Sequence, residues 1–144
     1  MRMSEEQVTK SIMRWLVAEG WEIVSYDFPQ SGTGRALRPS NASARNLGTV
    51  IPDIIAYRDG TVLIMEDKDR LVKSDFEKQQ FIKTSGIYNK ALTELLGQRN
   101  ASRKVYGIGL PQSDGNAHKA QLLSDMVDVV LLVDEDGSIN CNKK

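Results

Sequence analysis

Apolar residues recur at Val8, Ile12, Trp15 and Leu16, with Glu19 in phase, the spacing of one helix face. Ser4 followed by Gln7 is a capping-box pattern, and Gly20 is a helix stop, so the spacing predicts a helix over residues 5–19. Residues 21–28 read as a strand. Residues 50–57 and 61–68 read as two more, joined by Asp59-Gly60, a dipeptide suited to a tight hairpin turn. Residues 75–96 carry a helical pattern with a break expected at Gly86. A short strand at 105–110, a turn at 111–116, a helix at 117–126 and a strand at 127–133 follow. Asp136-Gly137 then turns the chain toward a last short strand at 138–141.

Both hairpin strands are apolar at odd and even positions alike: Ile54, Ile55 and Ala56 in one, Val62, Leu63, Ile64 and Met65 in the other. A sheet covered by helices on both faces produces that pattern. A helix, then a strand meander, then alternating helices and strands predicts an α/β chain: a three-layer α/β/α domain around a central mixed sheet. Residues 29–48 interrupt the meander with a long connection rich in Gly, Ser, Pro, Asn and Arg, and connections of this length are usually functional or disordered.

The 144 residues suffice for one domain, and 40% hydrophobic with 26% charged residues is ordinary for a globular protein. A disordered chain, a collagen and a coiled-coil rod are excluded. The longest apolar run, Val127 to Val133, is already broken by Asp128, so no transmembrane helix is expected. The start is acidic and lacks an apolar stretch, so no signal peptide is expected. One cysteine, Cys141, forms no internal disulfide, and zinc-ligand spacing is absent. These features predict a soluble, cytoplasmic protein. Net charge is zero, with 19 basic and 19 acidic residues, but the charge is uneven. The stretch 28–52 holds Arg35, Arg38 and Arg45 and no acid, and 68–104 holds nine basic against four acidic residues. A local surface for an anionic ligand fits that distribution.

The hairpin register brings in chemistry. With Asp59-Gly60 as the turn, Arg58 faces Thr61, Tyr57 faces Val62, Ile55 faces Ile64, and Asp53 faces Glu66. Two carboxylates then stand side by side on one face, with Lys68 two residues further along the same face. Opposed carboxylates repel, and a divalent cation offsets that repulsion best. A lysine beside such a pair can orient water or stabilise developing negative charge. Metal-assisted phosphodiester hydrolysis matches this set.

Ile51-Pro52-Asp53, twelve residues, then Glu66-Asp67-Lys68 resembles the Pro-Asp…(Asp/Glu)-X-Lys signature of the PD-(D/E)XK nuclease superfamily, which includes restriction endonucleases and archaeal-type Holliday junction resolvases. The layout from Glu5 to Lys68 is similar to those resolvases, while the longer 29–48 connection leans toward restriction-type enzymes. The resemblance implies a restriction-endonuclease-like domain and a Mg²⁺-dependent DNA endonuclease in which Mn²⁺ substitutes. Asp53 and Glu66 become the metal ligands, and Lys68 positions water or stabilises charge. Many members add a glutamate from the first helix. Glu5, in phase with Val8, Ile12 and Trp15, is preferred over Glu6. Some members use a glutamine from the helix after the motif, and Gln79 and Gln80 both qualify.

The remaining candidates carry structural readings, alone or beside a functional one. Arg35, Arg38 and Arg45 read as DNA phosphate contacts, or else as a solvated loop. Asp67 and Asp69 alternate to the face opposite Glu66 and read as structural or solvated. His118 reads as a surface histidine, and Trp15 and Trp21 as packing residues. A chain this short has little room for a full duplex-recognition surface, so a homodimer is expected, or a heteromer with a larger recognition subunit. A junction resolvase or repair nuclease is the alternative within the fold, and a non-catalytic nucleic-acid-binding or assembly subunit the alternative outside catalysis.

Overall fold

The capping box forms: the Gln7 N–H donates to the Ser4 hydroxyl at 3.2 Å, and the Ser4 N–H donates to the Gln7 side-chain oxygen at 2.8 Å. These bonds open α1 (Glu5–Ala18) in the computed structural model, which describes residues 3–40 and 48–143. Then follow β1 (Glu22–Tyr26), β2 (Ile54–Arg58), β3 (Thr61–Asp67), α2 (Lys73–Ser85), α3 (Asn89–Leu96), β4 (Arg103–Pro111), α4 (Asp114–Leu122), a 3-10 turn (Ser124–Met126), β5 (Val129–Val133) and β6 (Ile139–Lys143).

The six strands form one mixed sheet whose spatial order is the chain order. β1, β2 and β3 are an antiparallel meander, β4 and β5 continue in parallel, and β6 returns antiparallel. Parallel neighbours need a crossover. α2 with α3 supplies the one from β3 to β4, and α4 the one from β4 to β5. On one face, α1 sets Val8, Ile12 and Leu16 on Ile54, Leu63, Met65 and Leu131. On the other, Ile55, Val62 and Ile64 meet Ile82 and Leu92, while Ile108 and Val130 meet Phe76 and Ala120. The fold is therefore α/β with three layers, and consecutive residues of β2 and β3 enter opposite cores. That explains the absence of alternation in the hairpin.

The hairpin turn places Asp59 at φ +47° and Gly60 at φ +80°, both in the left-handed region that the tight primed turn requires. Gly86, at φ +68°, separates α2 from α3 as expected. Several boundaries differ from the sequence pattern, including the end of the helix expected over 117–126, which stops at Leu122 before the 3-10 turn, and two starts have a local cause. β2 begins at Ile54 rather than at 50, because Pro52 has no N–H to give to the ladder. Val50 instead bridges Leu37, with N···O distances of 2.7 and 3.0 Å. α4 begins at Asp114 rather than 117, because Ser113 caps it by accepting the Asn116 N–H at 3.0 Å. Within the long connection, buried Leu37 plugs the α2–α3 side, the Ser40 N–H donates to the Ile87 carbonyl, and the Tyr88 hydroxyl donates to the Gly48 carbonyl. Among the described residues no helix is long and apolar enough to cross a membrane.

Candidate active site

The hairpin register is observed from Arg58↔Thr61 to Ile54↔Met65. One step further the ladder changes. Asp53 is not in strand pairing with Glu66, and its N–H donates to the Met65 carbonyl at 3.1 Å. The Asp53 carboxylate is nevertheless on the Glu66 side, and its Oδ2 accepts the Asp67 N–H at 2.7 Å. Asp53 is only 7% exposed. Burial first, then the charge of Glu66 and that of Asp67, push its carboxyl up to about 9, against the opposing pull of the Asp67 N–H. Two acids thus share a partly dry corner at the end of β3.

Glu66 is oriented by Lys78 of α2, whose Nζ lies 3.6 Å from Oε2. Lys68 leaves the end of β3, its N–H held by the Gly109 carbonyl at 2.9 Å. Its ammonium stands between the layers, 3.8 Å from Glu5 Oε1 on α1 and 3.9 Å from Asp75 Oδ1 on α2. Burial pulls the Lys68 amine down, but Glu66, Asp75, Glu5 and Asp53 together outweigh it and hold the amine above its ordinary value. Glu5 is raised by burial, with Lys68 opposing and Glu66, Asp69 and Asp75 adding to the rise. Glu6, by contrast, pairs with Lys10 at 2.9 Å on the exposed side of α1. The helix therefore sends Glu5, not Glu6, to the cluster.

The donor set suits a hard divalent cation. Two carboxylates are commonly enough for Mg²⁺ when water and phosphate oxygens complete the shell. A buried acid whose proton is held this tightly marks a place short of positive charge. Among the described residues no three His, Cys, Asp or Glu side chains form a ready metal-binding group. Asp53 and Glu66 would be the side-chain ligands.

The other candidates are dispersed. Gln79 is 2% exposed, and its amide donates to the Ile64 carbonyl at 3.0 Å and the Gly107 carbonyl at 2.9 Å. Both amide hydrogens are spent on strands β3 and β4, behind Glu66, so Gln79 braces the sheet, while Gln80 is only half-buried. Arg35 and Arg38 are exposed on either side of the Leu37 plug. Arg45 lies outside the described residues. Asp67 is fully buried on the α1 side and Asp69 half-buried. His118 is exposed on α4, and Trp15 and Trp21 pack against the α1 core. Sequence reasoning missed Asp75 and Thr9. An acid in the first turn of α2 was a visible signal for the former, and a polar residue next to Val8 on the packed face of α1 for the latter.

Comparison of the chain with protein-family models, with curated proteins and with solved structures finds no match.

Proposed function

We propose that this protein is a metal-dependent DNA endonuclease of the PD-(D/E)XK kind, hydrolysing phosphodiester bonds with Mg²⁺, or with Mn²⁺ in its place. The observation that carries the reading is the meeting of Asp53, Glu66 and Lys68 at one end of β3, with Glu5 brought to them by α1. A divalent cation there supplies Lewis acidity toward the phosphate and a more acidic water. Asp53 and Glu66 hold it. Lys68 is surrounded by carboxylates and so stays cationic at neutral pH, which suits it to stabilise negative charge at the reacting phosphate rather than to take a proton. Glu5 orients Lys68 from the α1 side. Arg35 and Arg38, with Arg45, are assigned to DNA phosphates, and a homodimer would present two such sites to a two-fold substrate.

The test is cleavage of plasmid, single-stranded and four-way-junction DNA by purified protein. Cleavage is expected in Mg²⁺ and Mn²⁺ and none in chelator, with Ca²⁺ supporting binding better than turnover because it is larger and less strict in geometry. Preference for the junction would make the protein a resolvase, and binding without cleavage in any cation would make it a binding subunit.

A further inference from the structure

β3 sends Leu63 and Met65 into the α1 core, and Asp67 is the next residue on that side. Strand parity suits the position to a third apolar side chain, yet a fully buried carboxyl stands there. Its Oδ2 accepts the hydroxyl of Thr9 at 2.9 Å, and its Oδ1 has no hydrogen-bond partner. Thr9 is itself fully buried, and it lies one helical turn, about 6 Å of axial rise, beyond Glu5. The neighbouring strand makes room. At Gly109 an added Cβ would come within 2.4 Å of both Asp67 Oδ1 and Ile12 Cδ1, so α1, the carboxyl and β4 touch directly. The main chain of Asp67 meanwhile holds the Asp53 carboxylate through its N–H.

A buried carboxyl with one oxygen unsatisfied lowers stability, so packing does not account for it. What the group does supply is directionality. Apolar contact lets a helix slide on a sheet by fractions of an ångström, whereas a buried hydrogen bond fixes one height. We propose that the Thr9–Asp67 hydrogen bond is a latch that sets the height of α1 on β3, so that Glu5 faces Lys68 while Asp53 is held by the same residue's N–H. Asp67 is then a positioning residue that touches neither DNA nor cation. The proposal rests on the nuclease reading above.

The test uses Thr9→Ser, Thr9→Val, Asp67→Asn, Asp67→Val and the Thr9→Val/Asp67→Val double variant in the full chain, with kcat and KM on plasmid DNA and the melting temperature of each. Thr9→Ser and Asp67→Asn keep a donor and an acceptor in place and should keep kcat near wild type. Thr9→Val and Asp67→Val should lower kcat about 10- to 100-fold with KM little changed, the scale of a small misplacement in a catalytic site. In melting temperature the two valine changes should be non-additive, because either one alone breaks the bond. Wild-type kcat in a folded Thr9→Val variant overturns the proposal, and so does an Asp67→Asn variant as impaired as Asp67→Val. Should Asp67→Val not fold, the Thr9→Val and Thr9→Ser pair decides the matter. A wild-type protein that cleaves no DNA in any cation removes the nuclease reading and the positioning role with it. Additive melting shifts remove the latch alone.

Discussion

Replacing Asp53 by asparagine should make the cation-free protein more stable at alkaline pH while abolishing cleavage. Asparagine is nearly isosteric. Its oxygen can still accept the Asp67 N–H, and its amide can donate to Glu66 at any pH, which the carboxyl can do only while it stays protonated. The folded-state carboxyl of Asp53 is raised to about 9, from an ordinary 3.8. A group shifted upward contributes its full stability below the unfolded value. That contribution is lost as pH rises through the window up to the folded value. Each pH unit in the window costs ~1.4 kcal/mol, so the ceiling at pH 8 is roughly 6 kcal/mol. The site opens to water at its rim, which brings the expected gain for Asp53→Asn to ~2 kcal/mol, or roughly 6 °C in Tm for a chain of this size.

The assay is thermal unfolding from pH 4 to 9 in chelator, followed by Mg²⁺ addition. The two proteins should melt together near pH 4 and diverge steadily above it. At pH 8, Mg²⁺ at ten times its dissociation constant should restore ~1.4 kcal/mol to the wild type and nothing to Asp53→Asn. A difference in Tm that does not change with pH would mean that Asp53 is not strained by its neighbours. An equal response of both proteins to Mg²⁺ would mean that Asp53 is not a ligand.

Lys68→Ala should fold normally, losing at most ~1 kcal/mol because both of its ion pairs are long and partly exposed, yet cleave about 10²–10³ more slowly; circular dichroism with cleavage kinetics checks this. Alanine at Arg35, Arg38 and Arg45 together should weaken DNA binding and flatten its log–log salt dependence by ~0.9 per lost phosphate contact, measured by anisotropy titration at several salt concentrations. Gln79→Leu should cost roughly 2 kcal/mol in a denaturant titration, since it leaves the carbonyls of Ile64 and Gly107 without its two hydrogen bonds.

Local physics accounts for most of what the sequence revealed. The Ser4–Gln7 cap, the left-handed Asp59-Gly60 turn and the Gly86 break are each decided within four residues, and each forms where the pattern put it. The two-sided hairpin followed from composition, because a strand buried on both faces has no polar side to display. The start of α4 was hidden for a local reason as well. The run Pro111-Gln112-Ser113-Asp114-Gly115-Asn116 carries turn-forming residues, and the same Ser113 that favours a turn also caps a helix. The sequence pattern overextends β2 because Val50 and Ile51 are good strand residues, while the proline that keeps them out of the ladder stands only one position further on.

The candidate site separates into parts that register decides and parts that layer packing decides. Register is a property of one hairpin, so the common face of Asp53 and Glu66 was legible, although the departure of the Asp53 N–H to Met65 was not. Glu5, Thr9 and Asp75 reach β3 only because α1 and α2 dock at particular heights on opposite faces of the sheet, and those heights arise from contacts far apart in sequence. Parity alone placed Asp67 opposite Glu66. Whether that side was water or core depended on α1, and it proved to be core. The departures from local rules therefore gather in one place: a repelling acid pair at the end of an apolar hairpin, a carboxyl where a third apolar residue belongs, and a hydroxyl on the packed face of a helix. Natural chains tolerate such conflicts mainly where function requires them. Their concentration around the end of β3, independent of any motif, supports that corner as the proposed site.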